Sequence, residues 1–169
     1  MHPSLMTTSG ATPLVLMPWH PEELHKHVLI LEGVYNSLPA DDTNARQAVA
    51  KAVVWAASSF LEGCLQQFIE QLCSQENIGP PKLRGLANKR EWVVCRAKQR
   101  KTFAVDPAKA STRFVEDDLE ELRNDVDHGG KVETANLHLE NISFFRGVAK
   151  DYLEQVYRSF EIGKPGWLR

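Results

Sequence analysis

The sequence predicts an all-α protein, an up-and-down bundle of four to five helices. Apolar residues recur at spacings of three and four along most of the chain, and no segment shows the apolar–polar alternation of β-strands. The length of 169 residues, with 43% hydrophobic and 25% charged, suits one globular domain with a substantial core. We expect residues 1–18 to form a tail or arm and residues 19–169 to form a single helical domain.

The first two helices are bounded by clear start and stop residues. The first is predicted from Pro21, a favoured first helical residue, to near Leu38. The second is predicted over about 42–77, because its apolar positions keep helical spacing for many turns. Asp41 or Asp42 is expected to cap its start, and the sequence GPP at 79–81 ends it.

Two further helices are predicted in the C-terminal half. Residues 114–128 place apolar side chains at helical spacing and stop at Gly129-Gly130. A last helix is predicted from about Thr134, as its cap, to Ile162. For residues 82–104, which lie between these helices and the second one, the sequence leaves open a helix or an ordered loop.

Two adjacent blocks of opposite charge are hidden in a net charge of only −2. Residues 82–113 contain ten Lys and Arg against two acids, and residues 114–128 contain seven acids against one Arg. The basic block is expected either to form a phosphate-binding rim or to dock on the acidic helix. Its predicted RNA-binding residues are Arg96, Lys98, Arg100 and Lys101. Trp92 or Phe103 is available for base stacking, although we expect Trp92 and Trp55 to be core residues.

Several classes of protein are not indicated. The chain has no Gly-rich phosphate loop, no H-E-x-x-H and no nucleophile elbow. Its three cysteines form no C-x-x-C pair and no zinc-finger pattern, and two lie on the apolar stripe of the second helix. The N-terminus lacks the features of a signal peptide, and no apolar run reaches the length of a membrane span. We therefore expect a cytoplasmic protein with no cofactor, no metal and no membrane partner.

The segment 122–130, LRNDVDHGG, carries residues that suit RNA cleavage. Histidine is the side-chain type suited to proton transfer in catalysis, which makes His128 a candidate general acid or base. Arg123 is a permanent cation whose planar fork matches phosphate oxygens. Cleavage requires a base for the ribose 2′-hydroxyl, a cation for the charged phosphate and an acid for the leaving oxygen.

This motif, on a helix before the last one in an all-α chain, resembles the HEPN family (higher eukaryotes and prokaryotes nucleotide-binding domains). The family signature is an Arg, four to six residues and a His. Arg123 and His128 fit the four-residue version, and Asn124 fits the polar residue that usually follows the Arg. The resemblance in helical architecture covers about residues 21–162, and the resemblance in the sequence motif covers about eight residues.

The resemblance implies a homodimer in which two motifs meet in a cleft and cleave RNA without metal. Arg123 would stabilise the scissile phosphate, His128 would be the general acid or base, and Asn124 would orient one of them or the substrate. Many such proteins are toxins of toxin–antitoxin pairs or parts of phage-defence systems. The antitoxin is often a minimal nucleotidyltransferase.

Two alternatives remain open at the level of sequence. The first is a non-catalytic helical module that binds a nucleotide, RNA or protein. It is favoured by Asp127, where the family often has a small residue, and by the acidic helix. In that case Arg123 would pair with Glu120 and Asp127 while His128 caps the helix. The second is a metal-dependent hydrolase that uses Glu116, Asp117 and Asp118, with Glu62 or Glu140.

Overall fold

The computed structural model describes residues 20–102, 106, 108–130 and 142–169, and within this part every regular element is helical. The predicted tail at 1–18 and the residue Phe103 lie outside the described residues. The elements are α1 Pro21–Ser37, α2 Thr43–Gln75, α3 Gly85–Gln99, α4 Ala110–Arg113, a π-helical turn Phe114–Asp118, α5 Leu119–Asp127, α6 Ile142–Ser159 and a 3-10 turn Gly166–Leu168. The prediction of an all-α bundle is confirmed.

Helices α1 and α2 form the antiparallel pair that the sequence predicts. Pro21 is the first residue of α1, and the Asp42 side chain caps α2 by accepting a hydrogen bond from the Ala45 N–H at 3.1 Å. At one end of the pair, Arg46 lies over the Tyr35 ring and donates to the Leu38 carbonyl. These contacts fix the short connection between the two helices.

Helix α2 is the centre of the bundle. Its buried face includes Val53, Phe60, Cys64 and Phe68, and the other helices pack around it. By length and composition α2 is also the one described helix that would be able to cross a membrane, a property that central helices of soluble bundles share. Neighbouring helices bury 56% of its most apolar stretch.

Residues 85–99 form helix α3, which settles the question that the sequence left open. Gly85 and Lys89 lie against Glu62 of α2, whereas Arg96 lies against Glu76 further along α2. Both helices therefore run in the same direction. The segment 77–84, with its two prolines, leads the chain back along α2 before α3 begins.

The acidic segment belongs to a helical rod of three pieces, the acidic rod, rather than to one regular helix. α4, the π-helical turn and α5 follow each other without a break. Val115, Leu119 and Val126 are buried, as the spacing predicts. The π turn was not predicted. Within it the Glu116 carbonyl accepts a hydrogen bond from the Arg90 guanidinium of α3.

Helix α6 covers the core from the other side. Tyr152, Val156 and Phe160 are buried, and Phe68 of α2 packs edge-on against Tyr157 and Phe160. The predicted start of this helix at Thr134 lies outside the described residues. Burial raises the pKa of Tyr157 to about 12.

Four helices end in the same way, with a left-handed residue followed by a backbone N–H that bonds five residues back. The bonds are Ile78 to Cys73, Thr102 to Ala97, Gly130 to Asp125 and Ile162 to Tyr157. The left-handed residues are Asn77, Lys101, Gly129 and Glu161. The sequence identified this ending at Gly129-Gly130 only, because glycine is its clearest signal.

Candidate functional site

The motif residues lie on the last turn of α5 and directly after it. Asn124 and His128 are exposed, and the Arg123 side chain is 35% exposed. The His128 backbone N–H bonds to the Asn124 carbonyl, and Gly129 then turns the chain away with a φ of 76°. Because five residues on a helix differ in direction by roughly 140°, Arg123 faces α2 while His128 stands beyond the helix end.

Arg123 lies between two carboxylates. Its Nη1 is 3.9 Å from Glu62 Oε2 and its Nε is 3.7 Å from Asp127 Oδ2. Of the two partners expected from α5 itself, Asp127 is confirmed and Glu120 is wrong, since Glu120 pairs with Arg90 at 3.2 Å. Both ion pairs of Arg123 are longer than hydrogen bonds, so its donors are oriented without being tightly held.

Glu62 connects Arg123 to a buried lysine. The Lys89 side chain is 2% exposed, and its Nζ donates to Glu62 Oε1 at 2.7 Å. The same oxygen accepts the Gly85 N–H at 3.1 Å, which leaves Oε2 facing Arg123. Lys89 balances the charge of Glu62. The formal charges of Lys89, Glu62, Arg123 and Asp127 therefore cancel, although the helix around them is acidic.

Trp55 is part of this site and was wrongly expected in the core. It is 49% exposed, and its indole Nε1 donates to Asp127 Oδ1 at 2.7 Å. A signal in the sequence was available. The predicted apolar stripe of α2 passes through positions 53, 56 and 60, and position 55 lies off it. Trp92, in contrast, packs against the core as expected.

The predicted RNA-binding residues lie far from the motif along α2. Arg96 and Arg100 pair with Glu76, and Arg100 also lies over the Phe160 ring. Lys98 and Lys101 are exposed at the same end of α3. Glu76 is about 21 Å from Glu62 along the α2 axis, at 1.5 Å per residue. The four residues therefore form no rim beside Arg123 within one chain, and their binding to RNA stays a prediction.

The basic block docks on acidic residues of three helices. Arg90 pairs with Glu120 of the acidic rod, as the docking alternative expects. Other partners are Glu62 and Glu76 of α2 and Asp151 of α6. Of the ion pairs that the described side chains of the basic block make, three are with α2, one is with the acidic helix and one is with α6.

A metal-dependent site finds no support among the described residues. No group of three or more His, Cys, Asp or Glu side chains in this part of the chain is arranged to hold a metal ion. Glu62, one of its proposed ligands, is engaged by Lys89. The position of Glu140 lies outside the described residues.

Comparison with protein-family models, with curated proteins and with solved structures finds no match to this chain.

Proposed function

We propose that the protein is a metal-independent endoribonuclease of the HEPN type, acting as a homodimer. One observation carries the proposal. Arg123, Asn124 and His128 share the solvent-accessible end of α5, and Arg123 is oriented there by ion pairs too long to be hydrogen bonds. A phosphate oxygen approaching Arg123 would find guanidinium donors that the carboxylates do not saturate.

The chemistry assigns each residue one task. Arg123 would stabilise the charge that develops on the phosphate during attack by the 2′-hydroxyl. His128 would transfer a proton to or from the reacting oxygens, and Asn124 would orient the substrate or the histidine. Lys89 supports this arrangement from within the core, because it balances Glu62 and so reduces the repulsion of RNA.

A dimer would compensate for the different directions in which Arg123 and His128 point within one chain. Arg123 and His128 are about 7.5 Å apart along the helix axis and point to different sides. Two copies related by a twofold axis bring each motif opposite the other, so one phosphate can contact groups from both chains. The expected products are a 2′,3′-cyclic phosphate and a 5′-hydroxyl.

The first test compares cleavage of a mixed RNA pool by wild type, Arg123→Ala and His128→Ala in EDTA. His128→Ala is expected to lower the rate by about 100- to 10,000-fold, the usual loss of a general acid–base group. Arg123→Ala is expected to lower it by about 100- to 1,000-fold, the usual loss of one group that stabilises charge in the transition state. Matched controls are His27→Ala on α1 and Arg158→Ala on α6, which remove exposed residues of the same types elsewhere. Equal cleavage by wild type and His128→Ala would contradict the proposal.

A non-catalytic RNA- or protein-binding module is the second candidate. The ion pairs of Arg123 with Glu62 and Asp127 favour it, because both carboxylates compete with a phosphate. A module of this kind would bind RNA with a steep dependence on salt and leave it uncut. The same RNA pool therefore separates the two candidates.

A toxin role follows from the nuclease proposal and has its own test. Expression of the wild-type chain in a bacterial host should arrest growth, whereas expression of His128→Ala should not. A small nucleotidyltransferase-like antitoxin is the proposed partner in that case. Growth arrest that persists in His128→Ala would contradict the toxin role.

A further inference from the structure

Trp55 is an exposed aromatic side chain that the proposed chemistry does not use. The large apolar side chains that the described residues expose are Ile30, Val34, Trp55 and Ile78. Ile30 and Val34 lie on α1, and Ile78 follows the end of α2. Trp55 alone among these four touches the motif, through its hydrogen bond to Asp127.

The orientation of the Trp55 ring is fixed from the side of the motif. Its only polar atom, Nε1, is already satisfied by Asp127 Oδ1 at 2.7 Å. The other oxygen of Asp127 faces Arg123 Nε at 3.7 Å. One carboxylate therefore hydrogen-bonds the indole and also lies opposite the guanidinium. The part of the Trp55 side chain that remains exposed to solvent is aromatic ring surface.

The surroundings of Trp55 suit a nucleic acid better than an apolar protein surface. Residues three or four positions away on a helix are its surface neighbours. For Trp55 these include Lys51, Ala52 and Ser59, which are polar or small and half-buried. Trp55 is an aromatic ring beside Lys51 and Arg123. In proteins that bind single-stranded nucleic acids, such a ring stacks on a nucleobase, and the nearby cations bind the phosphate backbone.

We propose that Trp55 is the platform on which one nucleobase of the bound RNA stacks, next to the phosphate that Arg123 contacts. The inference rests on the proposed function, because it places a base beside the same motif. Stacking on an indole is tolerant of base identity, so Trp55 would add affinity and position the strand without defining a sequence.

The experiment uses a short single-stranded RNA in which every 2′-hydroxyl is methylated, so that the strand binds without being cut. Trp55→Leu is expected to weaken binding by about five- to 150-fold, equivalent to the ~1–3 kcal/mol of one stacked base. Trp55→Phe should retain most of the affinity. Binding of this RNA should quench part of the indole fluorescence of the wild-type protein. The same quenching should be absent in Trp55→Phe.

Ile30→Ala is the matched control, because it removes an exposed apolar side chain on α1 and should leave binding unchanged. Unchanged affinity in Trp55→Leu overturns the proposal. The proposal is also overturned if the wild-type protein binds no RNA. It is overturned as well if Trp55→Leu sediments as a monomer while the wild-type protein sediments as a dimer. The last result assigns Trp55 to contact between subunits. If Trp55→Leu does not fold, the fluorescence of Trp55→Phe decides.

The outcome for Trp55 is separable from the outcome for cleavage. A wild type that binds through Trp55 but leaves unmethylated RNA intact contradicts the nuclease and supports the stacking site. Cleavage that needs His128, combined with full affinity in Trp55→Leu, supports the nuclease and removes the stacking site.

Discussion

The role inferred for Asp127 changes once its neighbours in the structure are known. In the sequence Asp127 is an acid at a position where the proposed resemblance to HEPN proteins leads us to expect a small residue. In the structure one of its oxygens accepts the Trp55 indole N–H and the other faces Arg123. Asp127 therefore fixes the exposed Trp55 indole by a hydrogen bond and orients the half-buried Arg123 through a longer ion pair, in addition to adding negative charge.

Glu62 is the residue whose loss should cost the most stability in this site. Glu62→Ala leaves the buried ammonium of Lys89 without this carboxylate, and removing one partner of a buried pair costs about 3–5 kcal/mol. Urea unfolding at neutral pH measures the loss. The double variant Glu62→Ala/Lys89→Met should recover much of it, because it removes the buried charge as well.

Glu91→Ala serves as the control for this measurement, since Glu91 is an exposed carboxylate on the same helix as Lys89. We expect its effect to stay within about 0.5 kcal/mol, as for most surface substitutions. A loss in Glu62→Ala no larger than in Glu91→Ala would show that the pair contributes nothing.

At the scale of elements, the direction of α5 depends on the π-helical turn before it. A π turn holds one residue more than an α turn, which rotates all later side chains by roughly 100° around the axis. Arg90 fixes this turn by bonding to the Glu116 carbonyl and pairing with Glu120. The turn thereby helps to bring Arg123 and Asp127 onto α2.

A network of polar side chains anchors the start of the same rod. The amide of the buried Gln155 donates to Ser111 Oγ and to Asp151 Oδ2, both at 2.8 Å, while its oxygen accepts the Asp106 N–H at 3.1 Å. The network joins α4 to α6. Its satisfied groups explain how polar residues lie between these helices at little cost.

The end of α5 should be sensitive to a single methyl group. Gly129 has a φ of 76°, so Gly129→Ala is expected to lower the free energy of unfolding by about 1–2 kcal/mol. Gly147→Ala on α6 is the matched control, and we expect it to raise the free energy of unfolding. It has open space for a Cβ, and alanine favours a helix by about 0.5–1 kcal/mol. Thermal unfolding of both variants tests this, and a stabilised Gly129→Ala would contradict the assigned helix end.

At the scale of the whole molecule, α2 organises both the core and the charges. Its apolar face carries the buried side chains, and Glu62 and Glu76 on its polar side bind basic residues of α3. The two acidic positions are about 21 Å apart along the axis. Any RNA that contacts both the motif and Arg96 must therefore extend along the bundle.

The reactivity of the cysteine thiols measures how tightly this core is packed. Burial raises the pKa of the Cys64 thiol well above its usual value and also raises the pKa of Cys73, whereas Cys95 is exposed. In the native protein, one of the three thiols should react rapidly with a disulfide reagent, and all three should react in denaturant. Rapid reaction in a native Cys95→Ser variant would contradict the packing around α2.

The sequence by itself determined the all-α class, most of the long helices, the Asp42 cap of α2 and the glycine end of α5, whereas α3 and the π turn were not predicted. The predicted features depend on neighbours within about four positions, as in the Asp42 cap of α2 or the glycine end of α5. The motif was also visible, because Arg123, Asn124 and His128 belong to one local segment. Only the tertiary structure decided what surrounds them. Trp55 and Asp127 are 72 positions apart in the chain, and their contact depends on how two helices are rotated and packed.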